Sequence, residues 1–108
     1  MGNVLDFNVS KDRALRIHDI YAAQCESMQQ AMQSDCETLE RSGYIPDTNE
    51  HWEKVKTLEA ELEKELESLR AEGKDLVAFK IKYALPLTSR SPSRFLKVLE
   101  VCGVQYDD

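Results

Sequence analysis

Long apolar runs are missing from this 108-residue chain: no stretch approaches the roughly 18 apolar residues that a membrane-crossing helix needs. Cysteine is sparse. Cys25, Cys36 and Cys102 are odd in number, widely spaced and form no CxxC pair, unlike a secreted disulfide framework, so reduced thiols are expected. Four glycines and three prolines are too few for a low-complexity chain. No glycine-rich phosphate loop, GxSxG elbow or P-loop occurs, which removes the common signatures of nucleotide and acyl chemistry. The opening MGNVLDFNVSKDR lacks the basic-then-apolar pattern of a signal peptide. Positive charge is also short: 14 Lys and Arg stand against 20 Asp and Glu, for a net charge of -6. A surface that binds polyanions everywhere is thereby disfavoured, because such binding rests on Lys and Arg neutralising phosphates. The expectation is a cytoplasmic protein without a membrane span.

What is present is a balance of 42% hydrophobic and 31% charged residues, enough apolar material for one compact domain over residues 1–108. Ser10 can cap a long helix that Gly43 ends. Within it Ile17, Ile20, Tyr21, Cys25, Met28, Ala31, Met32 and Leu39 keep helical phase on one stripe. Tyr44, Ile45 and Pro46 break the chain. Asp47, with Glu50 three residues on, can cap a second helix starting near Thr48. Trp52, Val55, Leu58, Leu62, Leu66 and Leu69 form its apolar stripe, and Gly73 closes it. So short a link folds the second helix back on the first, giving an antiparallel helical hairpin over residues 10–73. Gln24 and Asp35 interrupt the first stripe; Asp35 is expected to pair with Lys54 or Lys56 across the hairpin, or to face solvent.

Residues 74–108 read as a smaller portion packed on that hairpin. LVAFKIKYAL alternates like a strand at residues 77–85, yet Leu76, Phe79 and Tyr83 also fit one helix face. Helix is the preferred reading. The strand reading would give a minor β-ribbon between residues 4–9 and 77–85. Ser91 suits an N-cap, Pro92 the first helical position and Gly103 the far end of a last short helix. Phe95, Val98, Leu99 and Cys102 share its inward face. The fold class expected is therefore mainly α.

Charge is distributed unevenly. Residues 26–72 hold thirteen acidic and five basic side chains, whereas Lys74, Lys80, Lys82, Arg90, Arg94 and Lys97 face Asp75 alone between residues 74 and 97. The segment LPLTSRSPSRFLKVLEVCGV resembles the end of a helix-turn-helix unit. That resemblance implies that Arg90, Ser93, Arg94 and Lys97 face a DNA major groove. It departs from the pattern at Lys82, where a small packed residue is usual, at Pro86 in place of the turn glycine, and at Pro92 in place of a packed aliphatic residue. The glutamates of EAELEKELESLRAE serve as a solvated helix face, or as a carboxylate surface imitating nucleic acid.

Chemistry of other kinds has little footing. His18, His51 and the three cysteines form no compact ligand set, and Cys25 and Cys36 stand roughly 16 Å apart along one helix, so no metal and no cofactor is expected. No nucleophile has a general base near it in sequence, and neither an enzyme nor a small-molecule substrate is expected. The functional expectation is a small non-enzymatic interaction protein, an adaptor or inhibitor of a larger machine, working as a homodimer with a protein partner. Its binding residues would be Tyr44 and Ile45 at the hairpin tip and Arg90, Arg94 and Lys97 at the basic rim. Small acidic helical products of phages and mobile elements are of this type, an analogy of build and not of sequence. The alternative is a nucleic-acid-binding regulator using the basic C-terminal segment.

Overall fold

The computed structural model describes residues 7–107 and comprises, in order, β1 (Asn8–Ser10), α1 (Lys11–Ser42), α2 (Glu50–Ala71), α3 (Asp75–Leu87), α4 (Pro92–Val101) and β2 (Gln105–Asp107). The fold is mainly α, with a small parallel β pair. Ser10 begins α1 as its spacing suggests, accepting the Arg13 N–H on its hydroxyl at 3.0 Å. Thirty-two residues later Gly43 ends it, so α1 is about 48 Å long. The molecule is correspondingly elongated, 65 × 25 × 19 Å.

Pairs across the hairpin fix its register. Arg13 grips Glu72, Arg16 reaches Glu65 at 2.8 Å, and Asn49 and Trp52 both reach Asp35. Rising numbers on α1 meet falling numbers on α2, so the two helices are antiparallel.

Two helix ends share one chemistry. At Gly73 (φ +81°) the Lys74 N–H donates to Leu69 O and the Gly73 N–H to Arg70 O; at Gly103 (φ +92°) the Val104 N–H donates to Leu99 O and the Gly103 N–H to Glu100 O. Both endings need a left-handed residue, which glycine supplies without a Cβ penalty. The first aims α3 back across the root of the hairpin. The second sends Gln105–Asp107 alongside Asn8–Ser10, in the register Asn8–Gln105, Val9–Tyr106 and Ser10–Asp107.

The core lies at that root. Val9, Ala14, Ile17, Leu66, Leu69, Val77, Ile81, Leu85, Phe95, Leu99 and Val104 form one buried cluster. Each large side chain among them gains about 1.5–3 kcal/mol from leaving water. Towards the tip Ala31 and Val55 are the buried apolar residues among those described, with Ser27 beside them, and Met28, Met32 and Leu39 of the expected stripe stay exposed. Two helices alone can cover only the residues directly between them.

Two expectations about the hairpin tip need correction, whereas the choice at residues 77–85 falls to helix, the preferred reading, because Val77, Ala78, Ile81, Ala84 and Leu85 recur at helical spacing and are all buried. The partner of β1 is therefore the C-terminal strand, and residues 4–6 of the expected ribbon lie outside the described residues. The cap of α2 is Asn49, not Asp47: its Oδ1 accepts the His51 N–H at 2.9 Å while its Nδ2 donates to Asp35 at 2.8 Å and to Ala31 O at 3.2 Å. Asp35 pairs with neither Lys54 nor Lys56. Trp52 and Asn49 take both of its carboxylate oxygens, and Lys56 lies 3.6 Å from Glu53 on its own helix.

Candidate functional site

Helix α3 is apolar on two faces. One face enters the core; the other carries Leu76, Phe79, Tyr83 and Leu87 to solvent at 42%, 67%, 60% and 64% exposure. The face that the sequence groups as Leu76, Phe79 and Tyr83 is thus real but points outward, since Val77, Ala78 and Ala84 join Ile81 and Leu85 in the buried cluster. Leu76, Phe79, Lys80 and Tyr83 with Cys102 line a channel of about 370 Å³ between α3 and the end of α4. Lys80 is fixed at its edge: the ammonium donates to Cys102 O and sits 4.5 Å from the centroid of the Phe7 ring. Val101, 80% exposed, extends the apolar surface beyond Cys102.

The basic rim lies at the α3–α4 turn, away from Cys102 and the channel. Ser91 caps α4, accepting the Arg94 N–H at 3.3 Å, and Pro92 occupies its first turn, so Arg90 and Arg94 flank the cap. Both line one shallow hollow of about 190 Å³ with Leu87 and Thr88. Lys97 is exposed one turn further on, as are Ser93 and Glu100. The structure therefore brings Arg90 and Arg94 together and places Lys97 on the same helix.

Tyr44 and Ile45 are exposed at the hairpin tip. Roughly 35 Å of α1 separates them from His18, the residue that touches the α3–α4 turn, so they cannot share one small binding site with Arg90. Asp35 holds the tip closed, accepting Trp52 Nε1–H and Asn49 Nδ2–H at 2.8 Å each. Those two bonds, Trp52's first, hold the Asp35 carboxyl below the usual carboxylate range.

Another hollow, about 630 Å³, lies where α1 meets the α3–α4 turn and is lined by His18, Asp19, Cys25, Glu26, Ser89 and Arg90 among others. His18 is absent from the apolar stripe read for α1, yet the fold takes it inside. It is buried, with Nε2 donating to Thr88 O at 2.7 Å and its ring centroid 4.9 Å from that of Phe95. A carbonyl can only accept, so Nε2 is the donor in this bond. His18 acts as a strut between α1 and the end of α3. One cation and two carboxylates around an open hollow favour no particular ligand charge.

The glutamates of α2 are partly engaged within the molecule. Arg70 meets Glu63 at 3.0 Å and Glu67 at 2.6 Å, and Arg16 takes Glu65. Among the described residues no group of three or more His, Cys, Asp or Glu side chains could hold a metal ion, and no helix is long and apolar enough to cross a membrane.

Comparison with protein-family models, curated proteins and solved structures finds no match to this chain. Sequence reasoning passed over the outward row on α3 as a site and left His18 off the apolar stripe of α1. Leu76, Phe79, Tyr83 and Leu87 follow i, i+3, i+7, i+11 on a helix that is apolar nearly all round, so the row is visible in the sequence but its outward direction is not.

Proposed function

We propose that the chain is a small non-enzymatic protein-interaction module, an adaptor or inhibitor of a larger machine, working in the cytoplasm. The observation that carries this reading is the outward row of Leu76, Phe79, Tyr83 and Leu87 on a helix already buried on its other side. Exposed apolar patches of this kind characterise interaction surfaces. Three unpaired cysteines suit a reducing compartment. Self-association would use the hairpin, where Met28, Met32 and Leu39 remain exposed; a dimeric mass in light scattering, lost when Met32 and Leu39 are made Ser, tests it.

A second reading, nucleic-acid contact through the basic rim, is favoured by Arg90 and Arg94 lining one hollow. Affinity purification of the tagged chain from its native cells, with and without nuclease, separates the two. A stoichiometric protein that survives nuclease supports the interaction module. Nucleic acid that is lost with Arg90→Ala and Arg94→Ala, and released steeply by salt, supports the second reading instead.

A further inference from the structure

Resting on the interaction reading, we propose that the outward row of α3 seats an amphipathic helix of another protein, one whose polar flanks are acidic. Shape, area and charge each point to this occupant.

Leu76, Phe79, Tyr83 and Leu87 form a row about 16 Å long. Cys102 closes one side of it as the wall of the channel, with Val101 beyond. A helix laid into such a groove anchors through residues at i, i+3 or i+4, and i+7, spread over two to three turns. The row matches that length.

From typical side-chain areas the four residues expose roughly 500 Å², near the upper end for the largest patch on a monomer. A stable symmetric dimer commonly buries about 800 Å² on each partner. A second copy docked through this row alone would fall short, whereas a single helix is well matched.

Charge separates the two further. At about 100° per residue, Lys80 and Lys82 lie on opposite flanks of the row, and Lys80 is held in place by Cys102 O and the Phe7 ring. An antiparallel second copy, centred between Phe79 and Tyr83, would set Lys80 and Lys82 against the same two lysines. Like charges so placed oppose docking, while glutamates or aspartates flanking a partner's apolar stripe meet complementary potential. Asp75 is the sole acidic residue between positions 74 and 97, so little in this segment offsets that potential.

The test is a nuclear magnetic resonance titration of the full chain with two helical peptides. Both carry leucines at i, i+3 and i+7; one has Glu and the other Lys at the flanking positions. The Glu peptide is expected to bind about tenfold more tightly at low salt, with shifts confined to α3 and residues 101–103. The Phe79→Ser, Tyr83→Ser double variant should lose binding while keeping its helical circular dichroism. Lys82→Glu, an exposed change that leaves the core untouched, should narrow or reverse the preference. Equal binding of the two peptides, or binding of neither, overturns the proposal. So does a dimer whose dissociation shifts α3 resonances, or contacts from residues 1–6 to Phe79, since either would name a different occupant. If a protein partner is still recovered from cells after such a result, the interaction reading stands and only this surface assignment falls.

Discussion

Trp52 donates its indole N–H to the Asp35 carboxylate at 2.8 Å across the hairpin, and this bond, with Asn49 beside it, ties together the part of the molecule that has almost no core. Because the carboxylate form accepts both bonds, folding favours ionised Asp35 and lowers its pKa. The stabilisation is complete above the ordinary aspartate value of about 3.9 and is lost as pH falls through the lower folded value. Trp52 is the only tryptophan, so its fluorescence reports the event. An acid transition below about pH 3.9 is expected in the native chain, and a flattened one in Asp35→Asn. Identical acid profiles would show that the bond does not hold the tip.

The root of the hairpin is tied by Arg13, whose two guanidinium nitrogens meet the two Glu72 oxygens at 2.8 and 2.6 Å while one also reaches Ser68 at 3.1 Å. Hydrogen bonding to Glu72 raises the Arg13 pKa, and Arg13 in turn lowers that of Glu72. Arg13→Ala should lower the thermal midpoint, and Arg13→Lys should recover only part of the loss because an ammonium lacks the bidentate fork. A double-mutant cycle with Glu72→Gln checks whether the two effects couple. Full recovery by lysine would contradict the geometric role.

The two faces of α3 should respond oppositely to truncation. Ile81→Ala removes a fully buried side chain and is expected to destabilise by about 2–5 kcal/mol. Phe79→Ala, on the outward face, should change stability by no more than about 0.5 kcal/mol. Chemical denaturation of both variants measures the contrast. A large loss at Phe79 would mean that the outward row is part of the core.

Much of this architecture was legible in the sequence where a local rule decides it. Ser10 and Ser91 announce helix starts because a hydroxyl three residues ahead of an N–H can cap it, and Gly73 and Gly103 announce ends because the left-handed turn wants no Cβ. Where two local rules compete, the sequence was silent. Asp47 and Asn49 can both cap α2, and only Asp35 and Ala31 on the facing helix select Asn49. Helix α3 is apolar nearly all round, so periodicity could not say which side meets the core. The pairing of Val9 with Tyr106 and the burial of His18 against Thr88 depend on residues far apart in the chain, and no local pattern encodes them. For the candidate site, the grouping of Arg90 with Arg94 follows from their positions either side of the Ser91 cap; the exposure of Phe79 does not follow from anything local.

Tyr106 joins β2 to α4, its hydroxyl donating to Leu96 O at 3.1 Å. Burial, with a smaller contribution from Glu100, pushes its pKa up to about 12. The neutral phenol is therefore favoured in the folded chain: its contribution is full below the ordinary tyrosine value of about 10 and is lost as pH rises through the folded one. A phenolate absorbance titration should show a late component near pH 12 that Tyr106→Phe removes. The same variant should destabilise the chain by about 1 kcal/mol through the lost hydrogen bond. A titration unchanged by the substitution would contradict this assignment.

The most direct measurement of the central claim, that α3 turns one face to the core and offers the other to a partner, is photo-crosslinking in the native cells. A benzophenone amino acid would replace Phe79 or Tyr83, with Glu61 on the exposed face of α2 as the control. A discrete crosslinked protein, heavier than the chain and distinct from its dimer, is expected from positions 79 and 83 and not from 61. No adduct at 79 and 83, or the same adducts from all three positions, would contradict it.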